Sequence, residues 1–550
     1  MSKIARWEPE NEQFWRETGS KIGWTTCGVT TFSLIFSFCT WFVMSAVVVR
    51  LPNIGFKFTP MELFWLAAIP GFASGVLRLI HSYFIPIFGT RPVVSIATII
   101  KIFPMIWLGF AVQDTSTPWS TFMIIGFLSG LGGGDFSSYM PSTSIFFPKR
   151  LQGLALGIQA GIGNFGVSIV QFVTPWIVGF SIVGGAYGAP QLFTKIDVIK
   201  DVAVTKNDAG VVTDIVYKNP AFASAVLVTK DDNGLVNDVT VQETAVTKNM
   251  QVDLKRNDAG AVTDLTLKRV VKKDMWVQNA AFWYVPVLIL AFILSVIFLK
   301  SISPSALGFK DASISKQMMK QFEILSTKNR ALTHTWNCTI TYIASFGSFS
   351  GYAAAFPMMI KVIYGGFDGA PDPLKFAFFG PLIGGLSRAI TGGFFDKIGG
   401  SKGMHWCLLG QIAGCLALIF GGYLTPTGLE KFPVFVYIML WIFLMTGINN
   451  AATFRQYPIV FAYSPAKGAQ MLGWTGAWAA FGPFIFASLI GMSITKTGSA
   501  ITFFAGAAIF YAYAFIINWY YYTRKGAERY DWGTKGTWWD TAKSSWTGGQ

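Results

Sequence analysis

Four ionisable side chains sit in stretches otherwise built from apolar and small residues. Arg78 lies in Gly75-Val-Leu-Arg78-Leu-Ile-His81 and Arg388 in Gly384-Gly-Leu-Ser-Arg388. Asp135 lies in Gly132-Gly-Gly-Asp135-Phe136 and Arg455 in Thr453-Phe-Arg455-Gln456. A guanidinium stays charged and offers a planar fork of donors that suits a planar oxyanion. Two of them, at matching places in the two halves of the chain and both beside glycines, predict an anionic substrate held between them. The competing reading is two structural arginines, each tied to a helix C-terminus or a carboxylate. Asp135 and Arg455 are expected to neutralise each other as a buried pair; alternatively, Asp135 titrates and carries a proton. His81, one turn from Arg78, is either a pH-sensing group or a packed, hydrogen-bonded one. Lys101 is expected to snorkel to a membrane interface.

A second cluster is uncharged. Gly157-Ile-Gln-Ala-Gly161-Ile-Gly163-Asn164-Phe-Gly166 puts small residues along one stretch. Such residues let helices approach closely, and they also expose backbone to a small ligand. Asn164 adds hydrogen-bonding capacity without charge.

The elements that position these residues follow from composition. Of 550 residues, 52% are hydrophobic, 16% aromatic and 13% charged. Soluble domains carry about twice that charged share. This excludes a soluble enzyme, a disordered scaffold, a collagen-like fibre and a disulfide-stapled secreted domain. The five cysteines, Cys27, Cys39, Cys338, Cys407 and Cys415, lie in or beside apolar stretches without metal-ligand spacing. Three histidines are too few for a typical His-built metal site. No cofactor or metal is expected. The net charge of +15 fits basic loops on one membrane face better than nucleic acid.

Apolar runs long enough to span a bilayer recur at 28–49, 61–84, 93–113, 119–144, 153–181, 280–300, 333–360, 374–395, 403–424, 432–457, 469–494 and 499–522. They predict an all-α membrane protein with twelve transmembrane helices. Residues 1–27 are polar and mixed, which reads as a cytoplasmic segment and not as a cleavable signal. Lys149, Arg150, Lys310, Lys316, Lys320, Lys328, Arg330, Arg524, Lys525 and Arg529 concentrate on one side if the N-terminus is inside. Both termini are therefore expected in the cytoplasm of a multi-pass inner-membrane protein. Helices 1–5 (28–194) and helix 6 (276–300) form one bundle. A basic cytoplasmic linker (301–332) leads to helices 7–12 (333–522), and a Trp- and Lys-rich cytoplasmic tail closes the chain (523–550).

Residues 195–275 are different: polar, with strand-like alternation. Lys206-Asn-Asp-Ala-Gly210, Lys230-Asp-Asp-Asn-Gly234 and Arg256-Asn-Asp-Ala-Gly260 repeat between Val- and Thr-rich runs and read as hairpin turns. A small β-rich periplasmic insertion, with an unknown partner of its own, is expected here.

At these residues the chain resembles the nitrate/nitrite porter family of the major facilitator superfamily. The run Ala160–Gly166 looks like the family's nitrate signature, and Gly473-Trp-Thr-Gly476-Ala-Trp-Ala-Ala-Phe-Gly482 is its echo in the second half. Val112–Pro118, Tyr342–Phe349 and Phe376–Pro381 are family-like. Gly392-Gly-Phe-Phe-Asp396-Lys397-Ile-Gly-Gly400 resembles the superfamily's gating motif; Ser82–Gly89, its first-half copy, carries Pro86 where that motif has Asp. The resemblance implies two pseudo-symmetric six-helix bundles and alternating access by rocking about a midplane site. It implies that Arg78 and Arg388 clamp the anion, Asn164 and Tyr342 hydrogen-bond it, and Phe38, Phe136 and Phe346 wall its flat faces. Gly163 and Gly476 would give close backbone approach or helix sliding. It also implies nitrate/nitrite exchange by a monomeric functional unit. Proton-coupled nitrate uptake is the alternative, and a membrane receptor using 195–275 is the alternative of another class. Asp135, Arg455 and the long 195–275 segment depart from the family pattern.

Overall fold

The computed structural model describes residues 4–81, 84–181, 187–199, 202–218, 220–303, 306 and 322–531. The first half of the chain forms α1 (Ser20–Val47), α2 (Pro60–His81), α3 (Thr90–Ala111), α4 (Trp119–Ser129, Leu131–Gly134 and Phe136–Ser144), α5 (Lys149–Ile177) and α6 (Tyr284–Phe298). The second half forms α7 (Ala331–Tyr342 and Ser348–Tyr364), α8 (Phe379–Ile398), α9 (Gly400–Phe420), α10 (Phe432–Val460), α11 (Pro465–Ala479 and Gly482–Thr497) and α12 (Ile501–Asn518).

Among the described residues, ten helices are long and apolar enough to cross a membrane. The stretches at 119–144 and 374–395 fall outside that class. The first is interrupted at Gly130 and Asp135. The second starts as a separate turn at Leu374–Ala377, and its helix carries several glycines and Arg388. The first long helix begins at Ser20, ahead of the expected start at 28. The two halves repeat their local geometry. Gly89 and Gly399 both take positive φ, 87° and 91°, at the α2–α3 and α8–α9 corners.

The halves meet through α2 against α11 and α5 against α8. The glycine stretch of α4 packs on α1 so closely that a β-carbon on Gly132 would run into the Ser37 carbonyl. That approach draws the broken part of α4 towards the middle of the molecule.

Seven strands lie between α5 and α6. β1 (Gln191–Ile199) pairs antiparallel with β7 (Val262–Met275), which also pairs with β6 (Met250–Arg256). β2 (Val202–Lys206) pairs with β3 (Val212–Tyr217), and β4 (Val226–Lys230) with β5 (Val236–Val241). Gly210, Gly234 and Gly260 occupy the three hairpin turns at φ of 75°, 75° and 80°. Ile199, Val212, Phe222, Val239 and Leu267 belong to a small core of their own.

This β region sits against both halves. Asn53 Nδ2 donates to the Thr194 carbonyl at 3.0 Å, Lys195 Nζ to the Ala370 carbonyl at 2.8 Å, and Arg269 pairs with Asp368 at 3.2 Å. At the same end Arg50 pairs with Asp372, and Lys361 donates to the Val49 carbonyl and to Asn53. At the opposite end the pairs Glu12–Arg150 and Arg330–Glu528 each stay within one half.

Most of the 301–332 linker and residues 532–550 of the tail lie outside the described residues. The tail that is described docks on the second half. Asp531 accepts from the Gly400 backbone N–H at 2.8 Å, and Arg529 reaches the Asn329 carbonyl at 2.9 Å.

Candidate functional site

Arg78 and Arg388 project from α2 and α8 at places related by the internal repeat. A chain of rings links them: Phe346 lies 5.3 Å from the Arg78 guanidinium, Phe454 lies 4.7 Å from that of Arg388, and Tyr342 of α7 contacts both rings, at 5.9 and 6.0 Å. The arginines of the two halves thus stand on either side of the Phe346–Tyr342–Phe454 rings.

Their settings differ. Arg78 is 2% exposed. Its Nε donates to the Gly133 carbonyl at 2.9 Å and its Nη1 to the Gly476 carbonyl at 2.9 Å. One acceptor comes from each half of the protein. Three rings surround the guanidinium: Phe136 at 4.8 Å, Phe346 at 5.3 Å and Trp41 at 5.4 Å. Its Nη2 is buried without a hydrogen-bond partner among the described residues. Arg388 is half-buried and lies over Phe454 at 4.7 Å. Among the described residues its side chain makes neither a hydrogen bond nor an ion pair. A buried donor left unmade costs about 1–3 kcal/mol, more when charged. Two guanidiniums with donors to spare, each against an aromatic face, have the chemistry to accept an anion.

The other expected residues divide. Phe346 stacks on Tyr342 at 5.9 Å and an interplanar angle of 18°. Phe38 stacks on Phe136 at 6.2 Å, one ring back from Arg78. Asn164 is buried with no partner for its Oδ1 among the described residues, and it faces Gly385, one turn before Arg388. Gly476 gives its carbonyl to Arg78 and not to open space. Gly163 does not face the arginines: a β-carbon there would meet Leu34 of α1. Adjacent helical residues point about 100° apart, so with Asn164 turned to α8, Gly163 must turn to α1. The side chains of Asp396 and Lys397 lie outside the described residues, although α8 runs past both.

The expected Asp135–Arg455 pair is not formed. Asp135 Oδ2 accepts from Lys101 Nζ at 2.5 Å and from Ser37 Oγ at 2.7 Å, and its Oδ1 lies 3.7 Å from His81 Nδ1. Arg455 lies 3.9 Å from Asp531 of the tail. Lys101 does not snorkel. It is fully buried at the joint between the two segments of α3, Thr90–Ile100 and Ile102–Ala111. From mid-helix, about 1.5 Å per residue leaves either interface out of reach, so the ammonium takes the nearest carboxylate. His81 has that cluster as its neighbour, with Ser138 Oγ at 3.4 Å.

The sequence reading missed Phe454 and Trp41. Phe454 was signalled: it stands in α10 where Phe136 stands in α4. Trp41 was one aromatic among twenty tryptophans, and only the approach of α1 to α2 singles it out.

No family profile matches the chain. A relative named "Probable nitrate/nitrite antiporter NarK2", of Thermus thermophilus, is 41% identical over 526 residues, covering 96% of this chain and 98% of the relative. The nitrate/nitrite transporter NarU of Escherichia coli (strain K12) is 29% identical over 544 residues, covering 94% and 96%. Among solved structures, the inward-open xylose transporter XylE of E. coli is similar with a TM-score of 0.56 at 12% identity, over 96% of this chain and 100% of that one. The nucleoside transporter NupG is similar with a TM-score of 0.52 at 10% identity, over 90% and 99%.

Proposed function

We propose a function from one premise: the chain belongs to the nitrate/nitrite transporter family of the major facilitator superfamily. Its relatives are transporters and not enzymes, and the chain is a multi-pass membrane protein of the same kind. The reading is that it exchanges nitrate for nitrite across the inner membrane by alternating access. Twelve helices cross the bilayer, α4 and α8 included, with both termini in the cytoplasm and the β region outside. One chain is the working unit.

One observation carries this reading: two arginines from opposite halves stand on either side of the Phe346–Tyr342–Phe454 rings, and among the described residues no carboxylate pairs with either guanidinium. Without an anion they repel. A planar monovalent anion takes up the free donors, offsets the repulsion and lets the halves close around it. The empty carrier closes poorly, so each crossing requires cargo. That is the logic of an exchanger. Phe136, Phe346 and Phe454 supply flat faces for a flat ion. Asn164 and Tyr342 add hydrogen bonds from α5 and α7, and Phe38 backs the Phe136 ring.

The Arg50–Asp372 pair at the β end supports a resting state closed towards that side. A proton-coupled cycle has weaker support, since Asp135 is already engaged by Lys101 and Ser37. A receptor has no support from relatives that are transporters along nearly their whole length.

The test is labelled-nitrate uptake by purified protein in proteoliposomes. The reading predicts uptake into nitrite-loaded vesicles and little into empty ones, with or without an inward proton gradient. Gradient-driven uptake into empty vesicles would establish symport instead.

A further inference from the structure

Arg78 is held through α4, and α4 is itself held by a buried ion pair. Gly133 supplies a carbonyl to Arg78, and Phe136 supplies a ring to it. Asp135 stands between them, turned away to Lys101, Ser37 and His81. Lys101 Nζ also donates to the Ala97 carbonyl of its own helix at 2.5 Å and lies 5.8 Å from the centre of the Tyr139 ring. Asp135 and Lys101 are 1% and 0% exposed. A buried pair of this kind adds little net stability, while removal of one partner leaves an uncompensated charge.

The second half lacks the pair. Gln411 follows Gly399 at the interval by which Lys101 follows Gly89, and Thr453 precedes Phe454 as Asp135 precedes Phe136. Gln411 has neither side-chain nitrogen nor oxygen hydrogen-bonded among the described residues. An ion pair therefore backs the arginine with two carbonyl partners, and none backs the other.

We propose that Lys101 and Asp135 form a positioning pair that fixes the Gly133–Phe136 rung under Arg78 and sets the charge against which the anion binds. This rests on the transport reading above. With the pair intact, its two charges cancel and Arg78 presents its full positive field. Without Lys101, the Asp135 carboxylate competes with the anion for Arg78. Without Asp135, the Lys101 ammonium adds a second attraction and holds the anion too long.

The two single variants therefore shift affinity in opposite directions, which a purely structural pair would not do. Nitrate/nitrite exchange in proteoliposomes is measured for wild type, Lys101→Met, Asp135→Asn, the double variant and Lys101→Arg. Thermal-shift titrations with sodium nitrate run in parallel. Lys101→Met should raise the nitrate KM roughly tenfold, an uncompensated buried charge being worth at least that.

Asp135→Asn should lower KM and slow turnover. The double variant should return KM to within about threefold of wild type, as coupled neighbours do, and Lys101→Arg should keep it there. KM shifts of the same sign in both single variants, or a double variant no better than the worse single, would overturn the proposal. Wild type that binds nitrate without carrying it would overturn the transport reading alone, and the ordering of nitrate affinities would still decide the pair. Neither flux nor binding would overturn both.

Discussion

Arg78 and Arg388 occupy equivalent places in an internally repeated fold, and they are not equivalent side chains. Arg78 is buried, spans carbonyls of both halves, touches three rings and is backed by an ion pair. Among the described residues Arg388 has one ring over its guanidinium. Repetition of a sequence position therefore fixes where a charge goes, and the surrounding packing decides how firmly it is held. In an exchanger the difference has a use. In the proposed cycle the fixed arginine would define where the anion sits, and the looser one would report whether an anion is there.

The largest expected effects come from the arginines themselves. Arg78→Lys should abolish exchange and also lower the thermal midpoint by several degrees. A single ammonium cannot bridge Gly133 and Gly476, and each charged hydrogen bond is worth about 1.5–3 kcal/mol. Arg388→Lys should abolish exchange with the midpoint unchanged, since among the described residues there are no such bonds to lose. Equal melting losses in both would break the comparison.

Next come the rings. Phe136→Ala and Phe454→Ala should each raise the nitrate KM, by roughly two- to thirtyfold if a cation–π contact is worth about 0.5–2 kcal/mol. Phe454→Ala should have the larger effect, because among the described residues Arg388 has that ring alone while Arg78 keeps Trp41 and Phe346. A larger effect at Phe136 would reverse the assignment of the looser arginine.

A smaller effect is expected at the β end. Asp372→Asn removes the charge that holds Arg50, a partly buried pair worth about 1 kcal/mol or somewhat more. Spin labels at Lys57 and Glu430, both exposed, should then give a longer, broader distance distribution at that end.

The smallest effect lies in the strands. Burial pushes the Asp197 carboxyl up, against the pull of Lys195. A carboxyl raised in the folded state contributes stability below its unfolded pKa and loses it as pH rises through the folded value. Amide exchange along β1 should slow as pH is lowered through that range, after correction for the intrinsic rate. Asp197→Asn should flatten the dependence.

Much of the candidate site was legible in the sequence, because an arginine within an apolar helix is conspicuous whatever surrounds it. The hairpin turns were legible too: Asp-Ala-Gly and Asp-Asn-Gly provide the positive φ that Gly210, Gly234 and Gly260 adopt. Partners were not legible. Asp135 and Arg455 share corresponding helices, which suggested a pair, but α3 lies beside α4 and brings Lys101 within 2.5 Å. The inequality of the two arginines was hidden for a related reason. The groups that hold Arg78 are backbone carbonyls of Gly133 and Gly476, which no side-chain type announces. Two of the expected spans were blurred by glycines and charge, the same residues that build the site.

The most direct test of the central claim is the distance across the end opposite the strands, with and without anion. Spin labels at Leu154 of α5 and Leu332 of α7, both exposed, sit on the two halves there. If one anion relieves the repulsion between Arg78 and Arg388, saturating nitrate should shift the distribution towards a shorter distance in wild type and leave Arg388→Lys unchanged. A shorter distance in the absence of any anion, or a nitrate response that survives Arg388→Lys, would contradict the account.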